Sequence, residues 1–170
     1  MVIYGSSWGL WLGWIRLASG RTRNPVYFLG TFDYAMDERG RVPLPPRYRD
    51  AFRDGIVLSQ GSPDRCLRLF TAEAFHRQAQ EFTSESPLHR RGLDMRRVLF
   101  SRTQDAELDK QNRVLIPAHL REYAGLSGKV LVVGAGEWLE IWAPETYAAE
   151  MARVDQELPA AQEAIESQDG

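Results

Sequence analysis

The chain is short of the residues that most catalytic and metal sites require. Cys66 is the single cysteine among 170 residues, which excludes an internal disulfide and a cysteine metal cluster. The three histidines, His76, His89 and His119, fall in no metal-ligand spacing such as H-E-x-x-H, and neither G-x-S-x-G nor a phosphate-cradling glycine loop occurs. No catalytic residue, metal or cofactor is therefore expected, and the chain does not read as an enzyme. Lysine is scarce as well: only Lys110 and Lys129 occur, so arginine carries nearly all the positive charge. The formal net charge is −2, which by itself argues against a nucleic-acid binder. A DNA-binding face needs only local positive potential, however, and arginine forks suit phosphates and guanine edges. A GC-rich genome also raises arginine content, so composition leaves both readings open.

Long apolar runs are missing too, apart from Tyr4 to Leu17, which holds Trp8, Trp11 and Trp14. Its first charge, Arg16, follows the apolar stretch instead of preceding it, which is the wrong order for a signal peptide. Gly and Ser interrupt it, and it is too short for a membrane span. Residues 1–26 are expected to be a disordered extension or an incorrectly assigned start.

What is present is a repeat. Asp37-Glu38-Arg39-Gly40-Arg41-Val42-Pro43-Leu44-Pro45 returns as Asp109-Lys110-Gln111-Asn112-Arg113-Val114-Leu115-Ile116-Pro117, at one offset of 72 residues (113 − 41). Phe28 and Phe100, Thr31 and Thr103, Asp33 and Asp105, Arg49 and Arg121, and Leu67 and Leu139 keep the same offset. Self-similarity at a fixed period fixes the architecture before any local reading does. Two copies of one small unit are expected, over residues 27–82 and 100–154, joined by a basic helix at 83–99.

In the first copy, Phe32, Tyr34 and Met36 alternate with polar or small residues as in a half-buried strand. Gly40 supplies a turn, Arg41 to Leu44 runs extended, and proline opens a short helix to Phe52 with Tyr48 and Phe52 on one side. Ile56 to Ser59 and Cys66 to Phe70 read as strands. Thr71 reads as the N-cap of a helix through Phe82 with Phe75, Ala79 and Phe82 on one stripe. The second copy repeats this order, with Tyr147, Met151 and Val154 on the matching stripe. Between the copies, Ser86-Pro87 is the expected helix start, and Arg90, Arg91, Arg96 and Arg97 read first as a solvated face. Residues 155–170 are polar and acidic and are expected to form a flexible tail.

The motif is the candidate site. An aspartate four residues ahead of an arginine across a tight turn can pair with it or cap the turn backbone, so Asp37 and Asp109 would orient Arg41 and Arg113. Gly40 suits positive φ, and Asn112 is the residue that tolerates that region best after glycine. From the residues alone, a structural salt bridge explains the pattern as well as a binding role does.

At these positions the sequence resembles the MraZ family, bacterial transcription factors with two tandem AbrB-like swapped-hairpin units. The resemblance spans about Phe28 to Val154. It rests on Phe28-Leu29-Gly30-Thr31-Phe32, on the first motif through Pro46, on Ala124-Gly125-Leu126 and on Leu139-Glu140-Ile141-Trp142. Family members normally start with methionine just ahead of the Phe-Leu-Gly. The missing glycine in the second motif departs from the pattern and puts that turn's geometry in doubt.

The resemblance implies an α+β, β-rich fold in which two tandem repeats form a barrel-like core with short flanking helices. It implies a cytoplasmic, nucleoid-associated regulator that assembles into a ring and binds repeated sites on double-stranded DNA. Those sites would lie upstream of the division and cell-wall gene cluster. Arg41 and Arg113 match the family's DNA-contacting positions. Arg39, Lys110, Arg47 and Arg49 are expected to contact phosphates. The competing reading is an AbrB-like antitoxin or scaffold that does not read DNA, although such antitoxins generally carry one copy and a disordered toxin-binding tail.

Overall fold

The computed structural model describes residues 26–84 and 86–166, so the expectation for 1–26 falls outside the described residues except at Val26. β1 (Thr31–Ala35) and β2 (Arg41–Pro43) lead into a 3-10 helix at Pro46–Phe52. β3 (Ile56–Gln60), β4 (Leu67–Thr71) and α1 (Ala72–Phe82) complete the first copy. After α2 (Arg90–Ser101), the second copy gives β5 (Thr103–Ala106), β6 (Arg113–Leu115), α3 (Ala118–Ala124), β7 (Lys129–Gly134), β8 (Leu139–Trp142) and α4 (Pro144–Glu166). Thr71 is the N-cap of α1, its hydroxyl accepting from the Ala74 N–H at 3.1 Å. No helix among the described residues is long and apolar enough to cross a membrane.

The strands pair across the repeat boundary. One antiparallel sheet runs β1-β7-β8-β4-β3-β5, and β2 and β6 form a separate antiparallel ribbon. β1 pairs with β7 of the other copy, and β5 pairs with β3 of the first, so the copies exchange their opening strands. With β4–β8 and β2–β6 added, four of the six strand pairings among the described residues join the two copies. The registers reveal an internal two-fold: Val42 faces Val114 and Arg68 faces Glu140, each the other's counterpart in the repeat.

The consequence is one shared core. Val42, Leu44, Leu58, Leu67 and Leu69 of the first copy pack with Val114, Ile116, Val132, Leu139 and Ile141 of the second, all fully buried. Val57, Phe70 and Ala74 form a smaller cluster on the other face of the sheet, under α1. Cys66 is buried, and burial first, then the Glu140 carboxylate, pushes its thiol up to about 12.

Three expectations need correction. The sheet does not close into a barrel; it ends at β1 and β5, and the β2–β6 ribbon covers the core as a second layer. The connecting helix starts at Arg90, later than Ser86-Pro87, and ends at Ser101, past the expected end at 99. Phe28 is buried while its counterpart Phe100 is half exposed, because Phe100 turns to Phe75 of α1. The acidic segment after Val154 is not a tail through Glu166 but the continuation of α4. Its Ala, Glu and Gln residues favour helix, and Arg153 pairs with Glu150 and Glu157 along its surface.

Candidate nucleic-acid interface

Both motifs fold as the same turn. In the first, the Gly40 N–H donates to the Asp37 carbonyl at 2.9 Å, and the Asp37 N–H donates to the Arg41 carbonyl at 3.0 Å. Asp37 Oδ1 accepts the backbone N–H groups of Arg39 and Arg41, at 3.0 and 2.9 Å. The second turn reproduces each bond: Asn112 and Asp109 close the backbone, and Asp109 Oδ1 accepts from Gln111 and Arg113 at 2.8 and 3.0 Å. Gly40 has φ +79° and Asn112 φ +58°, so asparagine adopts the left-handed conformation the turn requires. The doubt raised by the missing glycine is removed.

The ribbon brings the two turns together. Val42 and Val114 point into the core, so Arg41 and Arg113, one position away on each strand, point to the opposite, outer face. There the four side chains interlock. Arg41 Nε donates to Asp37 Oδ2 at 2.7 Å, and Arg113 Nε and Nη2 donate to Asp109 Oδ2 at 2.9 and 2.8 Å. Each guanidinium also reaches the other copy's acid, Arg113 Nη1 to Asp37 at 3.2 Å and Arg41 Nη1 to Asp109 at 3.7 Å. Arg41 and Arg113 remain 27% and 21% exposed, and both aspartates 31%. The salt bridge and the outward arginine, alternatives in the sequence, therefore coexist.

The geometry leaves capacity for a ligand. A guanidinium has five N–H donors, and the hydrogen bonds of Arg113 use three of them. Among the described residues about two remain, the number that a bidentate contact to guanine O6 and N7 requires.

The remaining predicted residues are spread more widely. Arg39 and Lys110 sit exposed on the turns. Arg47 is exposed, with its guanidinium carbon 4.8 Å from the centre of the Tyr48 ring. Arg49 is half-buried, and its Nε donates to the Leu44 carbonyl at 3.2 Å. The sequence reading missed Arg121, the counterpart of Arg49. A Cβ added at Gly40 would lie 2.9 Å from its Cζ and Nη1, so the Arg121 guanidinium lies against the first turn. Its Nε is buried without a hydrogen-bond partner among the described residues. The shared offset with Arg49 was the available signal.

Both site carboxyls are held below the ordinary range. For Asp109 the Arg113 side-chain hydrogen bond contributes most, and the pKa falls to about 2; for Asp37 the Arg41 backbone N–H contributes most. A carboxyl depressed in the folded chain contributes stability above its unfolded pKa and loses it as pH falls through the folded one. The expected result is a melting temperature that drops between about pH 4 and about pH 2. Part of that drop should be absent in Asp109→Asn. Circular-dichroism melts at stepped pH check this, and identical pH profiles for the two proteins would contradict it.

Comparison with known proteins agrees with the motif. The profile of the family described as "MraZ protein, putative antitoxin-like" matches residues 27–94 and 99–168. A protein of Thermomicrobium roseum named "Transcriptional regulator MraZ" is 39% identical over 132 residues, covering 78% of this chain and 92% of that protein. Proteins of the same name from Micrococcus luteus and Salinispora arenicola are 42% and 40% identical over 126 residues, covering 72% of this chain and 87% and 88% of theirs. Two matched segments, each holding one copy of the acid-turn-arginine motif, place the chain in the MraZ family.

Proposed function

We propose that this chain is a sequence-specific DNA-binding transcriptional regulator of the division and cell-wall gene cluster, acting from the cytoplasm at its own promoter region. The observation that carries this reading is the placement of Arg41 and Arg113 on one outer face of one ribbon, each with its direction fixed by an aspartate. Arg41 and Arg113 read base edges, while Arg39, Lys110, Arg47 and Arg49 hold phosphates. The names of the relatives support the regulator role, and the exchanged strands support an AbrB-like swapped-hairpin unit.

One such face binds weakly, and a ring of copies raises affinity through effective concentration. Phe82, Val98 and Phe100 are exposed on α1 and α2 beside the arginines of α2, whereas α4 is acidic and exposes Met151 and Leu158. Opposite charge and unburied apolar groups on the two ends suit a head-to-tail contact between copies, which closes into a ring when its rotation allows.

The test is a salt titration of binding to the gene's upstream DNA against scrambled DNA of equal length. Base readout leaves an affinity difference that persists as salt rises, whereas phosphate binding weakens equally on both. Equal binding to the two duplexes, with a small protein copurifying in fixed ratio, would favour the antitoxin or scaffold reading instead.

A further inference from the structure

The crossed ion pairs do more than aim the arginines. We propose that Asp37 and Asp109 are specificity-determining residues, which suppress phosphate-driven binding to arbitrary DNA while leaving the arginines free to read base edges. This rests on the DNA-reading role proposed above. Each of the two guanidiniums lies within 4 Å of both carboxylates, so the charges of this central group of four sum to zero.

The carboxylates are also fixed there. Each Oδ1 is committed to two backbone N–H groups and each Oδ2 to guanidinium nitrogens of both copies. A base edge can use the remaining N–H donors of Arg113 without breaking any of these bonds. An approaching phosphate meets two anions that cannot turn away. Neutral base edges are therefore favoured over phosphates at this centre, and discrimination is a difference between the two affinities.

The experiment compares the full-length wild type with Asp37→Asn, Asp109→Asn and the double variant. The probes are the gene's upstream duplex and a scrambled duplex of equal length. Asparagine keeps the side-chain shape and removes the charge. In the double variant, scrambled DNA should bind at least about tenfold more tightly at low salt, and the preference for the upstream duplex should shrink by at least about tenfold. The slope of log affinity against log salt should steepen by about 0.9 for each phosphate newly neutralised, with each single variant showing part of the change.

Glu38→Gln removes one exposed charge from the first turn outside the interlocked group. It should raise scrambled binding less than Asp37→Asn does. Equal effects of the two would reduce the result to net charge and overturn the proposal, as would single variants that leave scrambled binding and salt slope at wild-type values. The single variants decide the matter if the double variant fails to fold. A wild type without preference for the upstream duplex sinks the DNA-reading role itself. A wild type with preference, retained in the variants, sinks only this inference.

Discussion

Arg41→Lys combined with Arg113→Lys is expected to abolish discrimination between the upstream duplex and scrambled DNA while leaving binding to scrambled DNA within a few-fold. Lysine keeps the positive charge but presents a point donor in place of a planar fork, so it holds phosphates and loses the two-pronged contact to a base. Each bidentate contact contributes about 1–3 kcal/mol of discrimination, or roughly 5- to 150-fold. The loss should multiply where several copies engage DNA together. The alanine pair is a poorer tool. It strips the Oδ2 atoms of Asp37 and Asp109 of their guanidinium partners, so it should lower the melting temperature as well as binding. Fluorescence anisotropy on both duplexes, with melting curves alongside, separates the effects. Full discrimination in the lysine variant would show that the arginines serve the fold and not DNA recognition.

Leu69→Ala is expected to cost about 3–5 kcal/mol of folding stability and to do so in a single transition for the whole chain. Leu69 is fully buried in β4 opposite Leu139 of β8, where the two copies meet at the centre of the sheet. Truncation there removes apolar contacts and leaves a cavity that neighbours on both sides help to line. Because β1 depends on β7 and β5 on β3, neither copy has a complete sheet of its own. Chemical denaturation followed by tryptophan fluorescence and by circular dichroism should give superimposable curves, shifted together in the variant. Two separated transitions, with only one moved, would mean that the copies fold independently.

The difference between reading and structure follows sequence distance. Local signals gave the turn at Gly40, the N-cap at Thr71 and the short helix with Tyr48 and Phe52 inward, because each depends on residues a few positions apart. The same logic located Asp37 with Arg41 and Asp109 with Arg113. It did not find Arg121 against Gly40, because that contact crosses from one copy to the other. It also ended the last helix too early. An acidic composition predicts a tail, whereas Arg153 with Glu150 and Glu157 carries the helix surface past Val154.

Taken alone, the order of residues settled that the unit is duplicated, where its turns fall and which arginine each aspartate accompanies, since an offset and a four-residue spacing are visible without coordinates. Tertiary structure decided that the copies exchange strands, that the sheet stays open, and that each arginine is bridged to the other copy's acid. The reason is physical: a strand's preference for an edge belongs to the backbone and to packing, and nothing in the chain's local chemistry labels which of two near-identical edges it will join.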